Sequence, residues 1–184
     1  MFYQFEKFIM EPVQEDDLAM LMEHRNDSST WSGLSDVVPL TMEKQRAWYE
    51  SLIKDSSRQY FIVFLKAGDI HHGVAVVIKK ESQIGLIRIR DIDLINRSAQ
   101  VGCDVFLPFR GAGYSHKIMA MINNYCFDTL NLHRLWMLVL VTNKAAIKAY
   151  EKAGFEHEGT QKQAIFRGGQ YIDYLMYSKL REAG

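Results

Sequence analysis

The sequence predicts an α/β fold in one domain, with a mixed and mostly antiparallel sheet flanked by helices. Two early segments carry apolar residues at helical spacing, four strand-like runs follow one another, and the C-terminal part alternates strands with helices. The chain has only three prolines, and no Gly/Ser-rich tract divides its 184 residues. Residues 1–184 are therefore predicted to form a single domain.

The N-terminal part is predicted to be one strand followed by two helices. The strand spans residues 2–11, and the first helix spans residues 14–25, where apolar residues recur every three or four positions. Thr41 is suited to cap the second helix, because its hydroxyl can accept a hydrogen bond from a free backbone N–H group. The apolar stripe of this second helix consists of Trp48, Tyr49, Leu52 and Ile53.

The middle of the chain changes to the periodicity of strands. Runs of β-branched or alternating residues are separated by turn residues, which predicts consecutive antiparallel strands. These strands span residues 59–66, 73–80, 83–94 and 99–107.

The C-terminal part is predicted to contain two helices and three strands. A helix from Ser115 to about residue 130 precedes a strand over residues 134–141. Asn143 caps the next helix, and Gly154 ends it. The turn 167–170 contains two glycines that suit positive φ angles, so it is predicted to join the last strands as a hairpin. Those strands span residues 164–166 and 171–177.

Composition and charge exclude several classes of function. Lys and Arg total 22, as do Asp and Glu, so the chain lacks the basic surplus of a nucleic-acid binder. No apolar run approaches the roughly 20 residues that span a bilayer. Cys103 and Cys126 fit neither a zinc-ligand spacing nor a disulfide framework. The sequence therefore predicts a cytoplasmic protein with no nucleic-acid, membrane or metal partner.

Residues 101–115 predict a strand, a glycine-containing turn and a helix in direct succession. Such a turn exposes unpaired backbone N–H groups at the positive end of a helix dipole, which suits a phosphate. The small residues Gly111, Ala112 and Gly113 let an anion approach the backbone closely. By itself this pattern is more typical of a simple turn. It matches neither a Walker A loop nor the GxGxxG fingerprint.

Two motifs occur in a specific order along the chain. The first is Arg110-x-x-Gly113-x-Ser115, and the second is Asn143…Ala146-Ile147…Tyr150-Glu151-Lys152-x-Gly154-Phe155. Together they resemble the GCN5-related N-acetyltransferase (GNAT) family. Residues 130–135 and 158–173 are similar to its RimJ/RimL and spermidine acetyltransferase branches. The resemblance covers essentially the whole chain and is strongest from residue 99 to residue 173.

The resemblance implies that acetyl-CoA is the co-substrate and that no metal is used. Family members hold the pyrophosphate on the N–H groups of the turn, and the pantetheine arm lies between two splayed central strands, which here end near Leu107 and begin near Arg134. Ser115 replaces the family's Gly or Ala at the last position of the first motif. The implied cofactor-binding residues are Val105, Phe106, Leu107, Arg110, Gly111, Ala112, Gly113, Tyr114, Ser115, Asn143, Ala146, Tyr150 and Lys152.

Tyr150 is the side chain that the resemblance assigns to chemistry. Attack of an amine on a thioester forms a tetrahedral oxyanion and then expels a thiolate, whose departure a nearby acid assists. A phenol with a pKa of about 10 is protonated at neutral pH and meets this need. By position alone, Tyr150 is instead an aromatic residue that packs beside Ile147. A backbone N–H near Val105 or Phe106 is expected to meet the oxyanion.

The sequence leaves the general base open. Many family members carry a glutamate in the strand motif Ala-Glu-x-Gly, where this chain has Ala99-Gln100-Val101-Gly102. A glutamine cannot accept the proton of an ammonium group with a pKa of about 10. Gln100 is therefore expected to bind the substrate or a water instead. The alternatives for the base are Asp104, which shares the strand face of Gln100, a chain of waters, or an acceptor amine of lower pKa.

The acceptor is predicted to be a primary amine on an amino sugar or another small metabolite. A polyamine or a protein N-terminus is the alternative within the family. Because Gln100 replaces the glutamate, a non-catalytic acyl-CoA-binding module is the alternative of another class. Trp31, or alternatively Trp48, is expected to line the acceptor pocket, since the N-terminal region closes over the acceptor in this family. An exposed edge strand near Tyr171 predicts a homodimer.

Overall fold

The computed structural model describes residues 3–31, 33, 38–66, 69–71, 74–76 and 82–182. The helices are α1 (Leu18–Asn26), α2 (Ser28–Trp31), α3 (Met42–Ile53), α4 (Tyr114–Asn124) and α5 (Lys144–Lys152). The strands are β1 (Tyr3–Phe5), β2 (Phe8–Pro12), β3 (Gln59–Leu65), β4 (Asp69–His71), β5 (Val74–Val76), β6 (Gln83–Asp93), β7 (Ser98–Val105), β8 (Arg134–Leu140), β9 (Glu156–Arg167) and β10 (Gln170–Leu180). Short 3₁₀ turns at Glu15–Asp17 and Leu107–Phe109 precede α1 and follow β7.

Eight strands of the described part form one sheet in the order β1-β2-β3-β6-β7-β8-β10-β9. Neighbouring strands are antiparallel except β7 and β8, which run parallel. β4 and β5 form a separate two-stranded ladder. The predicted fold class, a mixed and mostly antiparallel sheet with flanking helices, is confirmed.

Helices cover both faces of this sheet. On β3, the ring of Tyr60 meets Trp48 of α3 at 5.3 Å between centroids, whereas the adjacent Phe61 meets Tyr125, just after α4, at 5.4 Å. Successive residues of a strand point to opposite faces, so α3 and α4 lie on opposite sides of the sheet. Between these layers the largest fully buried side chains are Phe8, Met10, Leu18, Ile62, Leu65, Ile84, Ile87, Ile89, Ile118, Met119, Met121 and Ile122.

The predicted helix caps and turn glycines are found at their expected positions. The Thr41 hydroxyl accepts a hydrogen bond from the N–H of Lys44 at 3.3 Å, at the start of α3. Gly154 follows α5 with a φ of 83°. The two glycines between β9 and β10 have φ angles of 56° and 81° and allow the tight hairpin. These features depend on local chemistry alone, which is why the sequence predicts them.

The predicted first strand is wrong in one respect, because the chain folds back within it. Phe5 pairs with Phe8 across a two-residue turn, and Glu6 in this turn has a φ of 49°. Glutamate is not a typical residue for the left-handed conformation, so no sequence signal marks the turn. Residue 2 of the predicted strand lies outside the described residues.

The predicted strand over residues 73–80 is also corrected. Of this span, Val74–Val76 is described as strand β5, and it pairs with β4 rather than with a strand of the main sheet. β3 pairs directly with β6 instead. Residues 73 and 77–80 lie outside the described part of the chain.

Several element ends differ from the predicted positions. β7 ends at Val105, because Pro108 lies in a 3₁₀ turn. α4 ends at Asn124, and a π turn over Tyr125–Thr129 completes the predicted helix. The two last strands are longer than predicted. Ile53, placed on the apolar stripe of α3, is 63% exposed at the helix end.

The two central strands part after a short parallel ladder. β7 and β8 have three Cα pairs, from Ser98 with Arg134 to Gln100 with Trp136, and both strands then continue separately. β7 stays paired with β6 as far as Val105, and β8 stays paired with β10 as far as Leu140. The predicted splay therefore opens at the carboxyl ends of the two strands. The opening between residues 101–105 and 137–140 is called the cleft below.

Candidate active site

The β7 wall of the cleft presents alternate peptide groups. The N–H of Phe106 donates to the carbonyl of Ile84 at 2.9 Å, which makes these residues a hydrogen-bonded pair of the β6–β7 ladder. Such pairs alternate with non-hydrogen-bonded ones, so the peptide groups of Val105 and Cys103 point away from β6 and into the cleft. The Phe106 carbonyl also accepts a bond, from Phe109. Of the two N–H groups expected near the oxyanion, that of Val105 therefore faces the cleft.

The N-terminus of α4 is built from backbone rather than from a capping side chain. Gly113 precedes the helix with a φ of 75°, and no side chain caps it. Gly111 has a φ of 78°, and a Cβ built on it would have no heavy atom within 4 Å. Tyr114 is buried among core side chains, so its contribution to the turn is its backbone. The first N–H groups of α4 are thus left for an anion.

Arg110 donates hydrogen bonds to the end of β7 and to the N-terminal part of the chain. Its Nε donates to the carbonyl of Val105 at 3.0 Å, and its terminal nitrogens donate to the hydroxyls of Ser29 at 3.0 Å and Thr30 at 2.7 Å. Ser29 and Thr30 belong to α2. The side chain therefore connects the turn before α4 to the N-terminal helices.

Helix α5 begins and ends at predicted cofactor residues. The Asn143 side chain caps it by accepting from the N–H of Ala146 at 3.1 Å. Its Nδ2 lies 2.9 Å from the position that a Cβ on Gly33 would occupy, so this amide faces the segment after α2. Lys152, at the other end, helps to lower the pKa of His116 on α4, although burial is the larger cause. The Lys152 ammonium therefore lies near His116 in the first turn of α4.

Tyr150 is a buried phenol on α5. It is 8% exposed, and its ring lies 6.4 Å from that of Phe155. Burial raises the pKa of Tyr150, the neighbouring Cys103 and Asp104 raise it further, and Arg88 opposes them. The hydroxyl therefore stays protonated at neutral pH, as a general acid requires.

The two faces of β7 carry different chemistry. Cys103 points toward α4, where its Sγ lies 3.9 Å from the carbonyl of Ser115. Asp104, the next residue, points to the opposite face and accepts two hydrogen bonds from Arg88 of β6, at 2.7 Å and 3.0 Å. This bidentate pair fixes the position and orientation of the carboxylate. Gln100 shares the face of Asp104 by strand parity.

His24 of α1 lies on the same face as Asp104, and sequence reasoning did not single it out. Its side chain is 9% exposed, and its Nε2 lies 4.0 Å from Oδ2 of Asp104. The ring packs edge-on against Phe106 at 4.8 Å. Burial lowers the pKa of His24. One signal was present in the sequence, since His24 follows Leu18 and Leu21 at the helical spacing of buried residues.

Trp31 is anchored between the N-terminal helices and the last hairpin. Its Nε1 donates to the carbonyl of Arg25 at 3.0 Å, and its own carbonyl accepts from Arg167 at 2.9 Å. The side chain is half-buried. A contact of Trp31 or Gln100 with the acceptor stays a prediction.

Among the described residues, neither cysteine has the features of a reactive or metal-binding thiol. Burial raises the pKa of both Cys103 and Cys126 to about 12, which keeps the thiols protonated. The described residues contain no group of three His, Cys, Asp or Glu side chains that would hold a metal ion. Within the same residues, no helix is long and apolar enough to cross a membrane.

The family of the chain follows from its sequence as well as from this geometry. Residues 7–156 match the model of the acetyltransferase (GNAT) domain. The chain therefore belongs to the GNAT family, as the two motifs predicted. Its class is that of N-acetyltransferases that use acetyl-CoA as co-substrate.

Relatives of known name differ in the acceptor that their names imply. A spermidine N(1)-acetyltransferase of Vibrio cholerae is 32% identical over 104 residues, which cover 54% of this chain and 60% of that enzyme. A putative ribosomal N-acetyltransferase of Bacillus subtilis, YdaF, is 25% identical over 94% of this chain and 89% of its own. The crystal structure of spermidine N-acetyltransferase from Vibrio cholerae with CoA and spermine has a TM-score of 0.81 at 23% identity, covering 95% of each chain.

Proposed function

We propose that the protein transfers the acetyl group of acetyl-CoA to a primary amine of a small acceptor, with a polyamine as the first candidate. The observation that carries the proposal is the cleft. The uncapped N-terminus of α4 suits the pyrophosphate of CoA, and the β7 peptide groups suit its extended arm. Helix α5 carries the protonated hydroxyl of Tyr150, and Cys103 of β7 is near enough to affect its pKa.

The proposed reaction is a direct attack. The neutral amine nitrogen bonds to the thioester carbonyl carbon, and the carbonyl oxygen becomes an oxyanion that the N–H of Val105 stabilises. The C–S bond then breaks, and the departing sulfur takes the proton of Tyr150. The amine loses a proton before or during attack, so a base must receive it.

The acceptor class rests on the names of the relatives. Spermidine acetyltransferases recur among the related proteins described above, whereas none of those is named for an amino sugar. The polyamine therefore replaces the amino sugar as the first candidate. A protein N-terminus is the second candidate, because the YdaF relative carries the name of a putative ribosomal enzyme.

A thiol-release screen tests the proposed function. The purified protein is incubated with acetyl-CoA and, separately, spermidine, an amino sugar, an amino acid and an N-terminal peptide. Release of CoA that depends on spermidine, with acetylspermidine found by mass spectrometry, supports the proposal. Tight CoA binding without turnover on any amine supports the non-catalytic acyl-CoA-binding module instead.

Association into homodimers is proposed at the β9 edge of the sheet. β9 is the last strand of the main sheet, and Phe166 and Tyr171 at its hairpin are 63% and 64% exposed. Their rings lie 5.1 Å apart and form one apolar surface. A spermidine N-acetyltransferase of Vibrio cholerae has been described as a dodecamer, which supports self-association in this fold.

A further inference from the structure

The face of β7 opposite Tyr150 carries a buried histidine that the proposed reaction has not yet used. His24 of α1 has a side chain that is only 9% exposed. Its Nε2 atom is buried and has no hydrogen-bond partner among the described residues. A buried polar atom without a partner is costly, and such groups in folded proteins call for an explanation.

The position of Nε2 relative to Asp104 and the cleft indicates a role for this atom. It lies 4.0 Å from Oδ2 of Asp104, which is too long for a hydrogen bond. The ring is fixed on its side by Phe106 at 4.8 Å. Asp104 is one residue before Val105, whose peptide group faces the cleft. Nε2 therefore lies beside Asp104, one residue along β7 from the peptide group that faces the cleft.

Four charged residues affect the pKa of His24. Asp104 of β7 and Asp27, just after α1, favour the imidazolium. Arg110 of the turn and Arg88 of β6 oppose it, and burial opposes it most strongly. The pKa of His24 is lowered as a result, so the imidazole is neutral and carries a free lone pair at neutral pH.

Asp104 is less suited to take the proton itself. Arg88 donates to both of its oxygens, at 2.7 Å and 3.0 Å, so the carboxylate is already engaged by the guanidinium group. A carboxylate so held can instead stabilise an imidazolium that forms beside it. Gln100, on the same face, has no titratable group.

We propose that His24 is the general base that takes the proton of the acceptor ammonium group, with Asp104 and Arg88 as positioning residues. The inference rests on the proposed acetyl transfer. An N–H bond of the ammonium breaks, its electron pair stays on nitrogen, and the proton bonds to Nε2. The nitrogen then attacks the thioester carbonyl carbon, the C–S bond breaks, and sulfur receives the proton of Tyr150. The acylated nitrogen gives its second proton to the Tyr150 phenolate, which restores the phenol, and the imidazolium returns its proton to water. The products are the acetylated amine, CoA and one proton.

The pH dependence of kcat/KM tests this role with an acceptor amine of high pKa. In the wild-type protein, kcat/KM is expected to be level between about pH 7 and 8.5, because a neutral His24 accepts the proton of the abundant ammonium form. His24→Gln keeps a polar side chain but cannot take up a proton. Its kcat/KM is expected to be roughly 100-fold lower at about pH 7 and to rise about tenfold per pH unit.

The matched control is His133→Gln. His133 is exposed at the start of β8, where the two strands are still paired, so the same substitution there should leave the rate and profile unchanged. His24→Ala is the second variant, and added imidazole should restore part of its activity. CoA affinity and thermal stability are measured for each variant, because a purely structural role would change these without changing the slope with pH.

The outcomes separate the two proposals. If the wild-type protein turns over and His24→Gln has the same rate and pH profile, His24 is not the base. The proposed acetyl transfer then still stands. If the Gln variant does not fold, the wild-type profile decides, since a tenfold rise per pH unit for the high-pKa amine shows that no side-chain base acts. Absence of turnover on every amine overturns the acetyl transfer and the base together.

Discussion

At the scale of single residues, the Tyr150 hydroxyl can be removed without changing the packing of its ring. Tyr150→Phe is expected to keep the fold and CoA affinity and to slow the chemical step by roughly 100-fold or more. Single-turnover measurements with a saturating amine report this step. Tyr125→Phe is the control, because it removes a hydroxyl that bonds Gln59 at 2.9 Å in another part of the fold. An unchanged single-turnover rate in Tyr150→Phe would mean that the thiolate leaves without an acid.

His24 also predicts a pH dependence of stability. Its pKa is lowered in the folded protein, so the unfolded chain binds the proton more readily below the ordinary value of 6.5. Stability is therefore full above this value and falls with pH until the folded protein also takes up the proton. Denaturant unfolding at about pH 7.5 and about pH 5.5 should show a larger loss for the wild type than for His24→Gln. An equal loss in both proteins contradicts the lowered pKa.

At the scale of elements, the start of α4 depends on a glycine with a positive φ. Gly113→Val places a β-branched side chain where φ is 75°, and it also obstructs the N–H groups of the turn. CoA affinity, measured by calorimetry, is expected to fall at least about tenfold. Gly159→Val is the control, since Gly159 lies in β9 with open space around its Cβ position. Equal CoA affinity in both folded variants would remove the turn from the cofactor site.

The elements that the sequence predicts best are those with local causes. Thr41 and Asn143 cap helices through their own side chains, and the glycines at 154, 168 and 169 mark positive φ angles. The first GNAT motif falls on the turn before α4 and the second on α5, and these are the elements predicted to bind the cofactor. The splay of β7 and β8 followed from the family resemblance rather than from any local pattern.

The acceptor side of the site could not be predicted in the same way. Arg88 and Asp104 are 16 positions apart, and only the register of β6 with β7 brings them together. His24 and Asp104 are brought together by the packing of α1 on the sheet. The turn at Glu6 was missed because a glutamate takes a conformation that usually belongs to glycine. The two side-chain contacts of Asp104 depend on tertiary packing, which single-sequence patterns do not encode.

At the scale of the whole molecule, the β9 edge predicts how copies of the chain associate. Phe166→Lys introduces a charge into the exposed aromatic pair, which should weaken an apolar contact between copies. Light scattering after size exclusion is expected to give a smaller assembly for this variant than for the wild type. Ile95→Lys is the control, because Ile95 is 93% exposed in the loop between β6 and β7. A wild-type protein that is monomeric at all concentrations contradicts the predicted homodimer.

Arg110 connects the proposed cofactor cleft to the N-terminal helices. One guanidinium group joins the carbonyl of Val105, at the proposed cofactor cleft, to two hydroxyls of α2, in the N-terminal region that is predicted to line the acceptor pocket. The occupancy of one binding site can therefore alter the free energy of the other through this link. Thermodynamic reciprocity makes such an effect symmetric, so a cofactor that strengthens amine binding is itself bound more tightly by the same factor. The free energy of the ternary complex is then the same whichever of the two substrates binds first.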